Sequence, residues 1–356
     1  MTALWAVALA VLALTPVVQQ PAPKAAARAL DIYFIDVEGG QATLIVTPER
    51  ETLLIDAGFP GRGTGAARPG DPRVARDPQR ILAAARDAGV TRIDYLLITH
   101  FHPDHMGGVP ELAQLLPIGT FIDHGTVPPA AEQIVNGTLA VFRAYADTRA
   151  TGRHLEPAPG DRLPIKGVDA RVVSSAGAIL TRPLAGGGLP NPACTTPAIA
   201  EQEPVENPRS TGVLIQFGKF RMLNVGDLTG KPFADLVCPV NRIGPVDVYL
   251  VSHHAGADAA HPATFAAWRP RVAIINNGAV KGGAPEALMS LRRSPGLEDV
   301  WQLHRSEIPG AVNFADSQIA NLDERTSHWI KVRAFEDESF TITNARTGVT
   351  KRYPPP

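Results

Sequence analysis

Apolar and polar positions alternate along 31–37 (DIYFIDV), 42–47 and 52–56, a period-two pattern that predicts strands, with Gly39-Gly40 as a tight turn. The period then lengthens. Ile81, Leu82 and Ala85 share one helical face behind Asp77-Pro78, which reads as N-cap and first helical residue, and Gly89 stands just past the end. Residues 93–99 (IDYLLIT) form a continuous apolar run, expected of a buried strand. Helical spacing returns over 111–116 and 131–147, with a strand at 120–123 between them. Strands at 212–217 and 220–225 pair around Gly218-Lys219. Strands at 246–251, 272–275 and 299–303 then alternate with helices at 261–268 and 285–293, and 327–335 with 339–344 reads as a closing hairpin. This order predicts an α/β domain, 30–356, of two sheets covered by helices.

Two segments break the pattern. Residues 4–18 (LWAVALAVLALTPVV) are apolar but shorter than the roughly twenty residues a bilayer span needs, and small residues follow at Ala25, Ala26, Ala27 and Ala29. Residues 1–29 are therefore read as a signal peptide in preference to a short anchor, although no Lys or Arg precedes the apolar run. The mature protein is expected to be secreted or periplasmic and to begin between Ala25 and Asp31. Residues 177–209 are rich in Gly and Pro without periodicity, as expected of a functional insert. Cys194 and Cys238, the only cysteines, are compatible with a disulfide in an exported protein or with two separate thiols. With 34 basic and 35 acidic side chains the net charge is −1, so nothing points to an obligate nucleic-acid partner or to an anionic membrane.

Chemistry concentrates after the buried strand, in Thr99-His100-Phe101-His102-Pro103-Asp104-His105-Met106-Gly107-Gly108. Four metal-competent side chains fall within six positions. Imidazole and carboxylate suit zinc, manganese or iron. In extended backbone His100 and His102 share a face and can converge on one ion. Asp104 and His105, in the following loop, can hold a second, and the Gly107-Gly108 pair lets that loop fold tightly.

This HxHxDH run resembles the signature of the metallo-β-lactamase superfamily, a four-layer αββα fold with a two-metal hydrolytic site. Further motifs follow in the family's order. Leu53-Leu54-Ile55-Asp56-Ala57-Gly58 looks like its early strand end, which makes Asp56 a support behind the ligands. Val225-Gly226-Asp227 looks like its G-D motif, which makes Asp227 the carboxylate bridging both metals. Val251-Ser252-His253-His254 looks like its late strand end, bearing the final ligand. The closest likeness is to the external domain of DNA-uptake competence proteins. It is carried by Asp36-Val37-Glu38-Gly39-Gly40-Gln41-Ala42, Asn207-Pro208-Arg209-Ser210 and His253-His254-Ala255-Gly256. Gln41 and Ala255 depart from that branch, so nuclease activity is not carried over.

The resemblance implies metal ligands at His100, His102, Asp104, His105, Asp227 and His253. Two zinc ions are expected, with manganese or iron as alternatives, and no organic cofactor. If the strand continues through 253, adjacent side chains point apart. His253 is then the ligand, and His254 joins Asp104 and Asp227 as a catalytic group, a proton donor or substrate contact. Many members carry a third histidine between HxHxDH and the bridging aspartate. Here only His124 and His154 lie between, and His124 follows a strand on the site's edge. His124, Lys281 and His304 are candidates for the cavity rim. The function implied is hydrolysis of an ester or phosphodiester by water activated between the ions. Lactonase or β-lactamase activity, a diiron redox role and a catalytically silent binding module are the alternatives.

Overall fold

The computed structural model describes residues 28–61, 71, 73–195, 203–259 and 261–356. The proposed signal segment 4–18 lies outside them, as does 196–202 of the insert. The period-two segments pair antiparallel: β1 (Leu30–Phe34), β2 (Thr43–Val46) and β3 (Thr52–Ile55) set Ile32 opposite Ile45 and Ile45 opposite Leu53. Helix α1 (Arg76–Asp87) crosses to β4 (Ile93–Leu97), parallel to β3. The sheet continues through α2 (Pro103–Met106) and α3 (Val109–Leu115) to β5 (Ile118–Ile122). It then passes through α4 (Ala131–Ile134) and α5 (Thr138–Arg149) to β6 (Arg153–Leu155).

The second sheet opens with β7 (Asp169–Ser175), β8 (Ala178–Ile179), β9 (Gly212–Phe217) and β10 (Phe220–Asn224). It then runs parallel through β11 (Val248–Leu250), β12 (Val272–Ile275), β13 (Asp299–His304) and β14 (Ile319–Asn321). Helices α6 (Gly230–Val237), α7 (Pro262–Trp268) and α8 (Pro285–Arg292) lie between these strands in the chain. The chain returns to the first sheet as antiparallel β15 (Ile330–Ala334), β16 (Phe340–Asn344) and β17 (Thr350–Tyr353). Among the described residues the strand orders are β17-β16-β15-β1-β2-β3-β4-β5-β6 and β14-β13-β12-β11-β10-β9-β7-β8.

Alternation along the strands makes the layers. Ile32, Phe34, Ile45, Leu53, Ile55 and Leu97 meet Val213, Ile215, Met222, Val248, Ile274 and Trp301 between the sheets. The opposite face of the first sheet (Tyr33, Leu44, Leu54) packs with Ile81, Ala85 and Leu112 of its helices. That of the second (Leu223, Tyr249) packs with Phe265, Trp268 and Leu288. This is the expected αββα sandwich. No helix among the described residues is long and apolar enough to cross a membrane.

Several boundaries differ from the expectation. Asp77 is not the N-cap of α1, which starts at Arg76 after Ala75. Its carboxylate is buried and accepts from the amide of Phe59 at 2.7 Å, which fastens the loop after β3. Burial pushes that carboxyl up to about 6. The helix expected over 131–147 is two, separated by Gly137 at φ 89°, a left-handed turn that glycine adopts freely. Strand β11 is three residues long, not 246–251, because Val251 already leads into a 3₁₀ turn.

Cys194 and Cys238 form a disulfide, with Cα atoms 5.7 Å apart, that ties the insert to the end of α6. The bridge spans 44 positions, and closing a loop of that size in the unfolded chain stabilises by about 2–4 kcal/mol. Reduction, or the Cys194→Ser/Cys238→Ser pair, is expected to lower the unfolding free energy by about that much in denaturant melts. An unchanged midpoint would show that the bridge contributes nothing.

Candidate metal centre

Two parallel pairs of strands, one in each sheet, release their carboxyl ends toward one cluster: β3 into Asp56, β4 into Thr99–His105, β10 into Gly226-Asp227 and β11 into His253-His254. Asp56 organises the first pair. Its buried carboxylate accepts from the Thr99 amide at 2.7 Å, Thr99 Oγ1 at 2.8 Å, Gln41 Nε2 at 2.8 Å and His105 Nδ1 at 2.7 Å. Because Thr99 Oγ1 spends its proton on Asp56, it accepts from His100 Nδ1 at 3.1 Å. Both rings are thereby fixed with Nδ1 protonated and Nε2 turned into the cluster. The loop closes tightly: a Cβ at Gly108 would stand 2.2 Å from the Ala57 carbonyl oxygen.

One ligand atom each from Asp104, His105, Asp227 and His254, all buried, lie within 4.8 Å of one another. His105 Nε2 is 3.2 Å and His254 Nε2 3.1 Å from Asp227 Oδ2, while Asp104 Oδ2 is 3.4 and 3.2 Å from the same two nitrogens. Beside them His100 Nε2 and His102 Nδ1 face each other at 2.9 Å, and His100 Nε2 is 3.9 Å from Asp227 Oδ2. Asp227 Oδ1 and both nitrogens of His254 are buried without a hydrogen-bond partner. Orphaned lone-pair-bearing atoms of this kind at a carboxylate–imidazole cluster fit metal ions.

The electrostatics agree with that fit. Burial opposes ionisation of Asp227, yet His105 and His254 hold its carboxyl well below the usual range. Asp104 is likewise held low against its burial, by Lys281 and His105. Burial, with His105 and His102 alongside, pushes His100 far down and keeps it in the neutral form that ligates. Burial would lower His105 too, but Asp227, Asp104 and Asp56 push it well up, so an ion entering there must displace a proton.

The assignment of the adjacent histidines is reversed. His254 enters the cluster and His253 does not. The strand geometry assumed for them fails because His253, His254 and Ala255 all take left-handed backbone, with φ of 49°, 53° and 59°. That turn swings His253 outward, where Nδ1 donates to Asp258 Oδ1 at 2.8 Å and Nε2 faces Asn207 Nδ2 at 3.4 Å. Gly226, at φ 56°, makes room for the loop that carries Asp227, since a Cβ there would sit 2.7 Å from Thr99 Cβ.

The remaining candidates divide. Lys281 reaches the site: its ammonium contacts the Asp104 carboxylate and lies over the Phe59 ring at 5.4 Å. His124 packs at a tilt against Phe101, ring centres 4.2 Å apart, but turns Nε2 to Glu206 at 3.1 Å, and it is not part of the four-residue cluster. His304 belongs to a separate cluster, 3.2 Å from Asp36 and 3.3 Å from Glu38. Arg80 bridges those same carboxylates at 2.9 Å each, so a cation is already in place there.

Two acids escaped sequence reading. Glu206 Oε2 accepts from the amide of Phe101, between His100 and His102, at 2.9 Å. Glu203 Oε2 lies 3.9 Å from His102 Nε2. Their E-x-x-E spacing directly before Asn207-Pro208-Arg209-Ser210 was the available signal.

Residues 35–197 match the model of the metallo-β-lactamase superfamily. None of the curated proteins matches the sequence. Among solved structures, CmlA, a diiron β-hydroxylase from Streptomyces venezuelae, aligns at 16% identity over 78% of this chain and 48% of its own, with a TM-score of 0.38. A point mutant of the CmlA β-hydroxylase aligns at 16% over 80% and 53%, with a TM-score of 0.45. MEM-A1, a subclass B3 metallo-β-lactamase isolated from a soil metagenome library, aligns at 15% over 62% and 75%, with a TM-score of 0.37. The chain spans about half the length of the CmlA chains.

Two outcomes follow from this geometry. His254→Ala is expected to lose transition metal, measured by elemental analysis at matched protein concentration, while His253→Ala retains it. The reverse result would restore the extended-strand assignment. The second concerns His304, which burial would lower but which its bonds to Asp36 and Glu38 raise to about 9. Its folded pKa exceeds the unfolded value of about 6.5, so the stabilisation is full below pH 6.5 and is lost as pH rises through 9. Unfolding free energies should fall by up to about 3 kcal/mol across that window, and His304→Gln should flatten the change. An unaltered pH slope in the variant would remove His304 from the account.

Proposed function

We propose that this chain, whose residues 35–197 match the metallo-β-lactamase superfamily, is a binuclear metallo-hydrolase, a zinc enzyme acting on an ester or phosphodiester. The observation that carries this reading is the buried cluster of Asp104, His105, Asp227 and His254 beside the converging pair His100 and His102. Two bound ions would supply Lewis acidity toward the scissile group and lower the pKa of water held between them. Asp227 is the carboxylate within reach of both halves, 3.1 and 3.2 Å from His254 and His105 and 3.9 Å from His100.

The other residues bind and orient. Lys281, partly exposed at the edge of the cluster, is placed to take an anionic oxygen of the substrate, which favours a phosphodiester or an acid-bearing ester. His253 lies outside the ligand set, with Nδ1 committed to Asp258 and Nε2 facing Asn207 Nδ2, and acts by bracing the segment that carries His254. We take the compartment to be outside the cytoplasm. The apolar segment 4–18 and the Cys194–Cys238 bridge support that reading.

Metal analysis of the purified protein, paired with a panel of phosphodiesters, thioesters, lactones and β-lactams, tests the proposal. Hydrolysis of a phosphodiester or ester is expected with zinc restored. Asp227→Ala should lower the rate by roughly a hundredfold or more at saturating zinc. Iron as the resident metal with no hydrolysis across the panel would overturn it.

A further inference from the structure

The two halves of the centre are not equally built. One has four protein ligand atoms, two of them carboxylate, gathered within 4.8 Å. The other has the nitrogens of His100 and His102, with Asp227 shared at 3.9 Å. Among the described residues, no further acid or imidazole joins those two histidines in such a cluster. An ion in the first half faces two full negative charges. An ion in the second meets two neutral rings and a carboxylate already engaged, and is repelled by its neighbour.

The rings also differ in how they are held. His105 is anchored through Nδ1 by Asp56 at 2.7 Å and His100 through Nδ1 by Thr99 at 3.1 Å. His102 presents Nδ1 to the centre, and its outward nitrogen, Nε2, is buried with no hydrogen-bond partner. Facing Nε2 at 3.9 Å is Glu203 Oε2. That carboxylate is held by three amides: Val205 and Glu206 at 2.8 Å and Asn207 at 2.5 Å. A closure of about an ångström would make a normal hydrogen bond. Withdrawal of electron density at Nδ1 makes Nε2–H a stronger donor, so loading this half and closing the bond are one event. Glu206, three residues on, already grips the Phe101 amide, so the segment is seated against the ligand loop before any closure.

We propose that the two metal positions are unequal: the Asp104–His105–Asp227–His254 position fills first, and the His100–His102 position fills second, with Glu203 as the positioning residue for the His102 ring. This rests on the metallo-hydrolase reading above.

The test uses the full chain with its disulfide intact, freed of metal by chelation and titrated with Co²⁺ alone, followed by calorimetry and visible absorption. Two steps at least tenfold apart are expected in the unmodified protein, which shows without any variant that the positions are unequal. His254→Ala should delete the tighter step and His100→Ala the weaker one. Glu203→Gln should weaken the second step by roughly 10–100-fold and leave the first within about twofold, and Glu203→Asp should restore part of the loss. Two equal steps, loss of the tighter step in His100→Ala, or equal weakening of both steps in Glu203→Gln would overturn the inference while leaving the metallo-hydrolase reading standing. No Co²⁺ binding at all would overturn both.

Discussion

The buried carboxylate of Asp56 takes four donors from three parts of the chain, and the centre is assembled around that saturation. A charge out of water is tolerable only when its lone pairs are met, so each donor is as constrained as the acid itself. Thr99 is held at the end of β4, which sets where His100 and His102 begin. His105 is held with Nε2 inward. Gln41 passes the constraint across the sandwich: its amide also reaches Asn224 Oδ1 at 3.3 Å, and that oxygen accepts from the Gly226 amide at 2.9 Å. The residue before the shared aspartate is thus linked by two side chains to the acid behind the ligand loop. The glutamine at position 41, a departure from the competence-protein pattern, has a structural role of its own here.

Legibility in the sequence followed the range of the interaction. The HxHxDH run could be read because its six positions are consecutive and follow an unbroken apolar strand, and the layer order followed from periodicity. The roles of His253 and His254 could not, because they depend on three left-handed residues that no side-chain pattern announces. Glu206 acts on an amide 105 residues earlier, from a stretch with no periodicity, so nothing local marks it. Short strands such as β6 and β14 were missed for the same reason: three residues cannot display an alternation, and neighbouring strands hold them in place. Gly137 was the exception. Asn136-Gly137 is a turn signal inside the apparent helix, and it should have divided it.

The loop bearing Lys281 is fastened to the ligand segment by backbone, not by charge. The Gly283 amide donates to the His254 carbonyl at 2.8 Å, and a Cβ at Gly282 would collide with that residue at 2.3 Å. The Ala284 amide likewise reaches the Ala255 carbonyl at 2.9 Å. The left-handed run at 253–255 is therefore braced from outside, as strained backbone must be to persist. Its bracing element also delivers the Lys281 ammonium to the cluster's edge. The position of Lys281 and the backbone that carries His254 share a single turn, so neither can be altered alone.

The disulfide has a consequence beyond the insert it fastens. The covalent ring from Cys194 to Cys238 encloses Glu203, Glu206, Asn207 and Asp227. When every tertiary contact is gone, the shared aspartate and the acids that seat the ligand loop still travel on one closed tether. Their effective concentration toward one another is set by a ring of fixed size, not by the length of the whole chain. In the oxidised protein, Asp227 is never fully dispersed from Glu203 and Glu206.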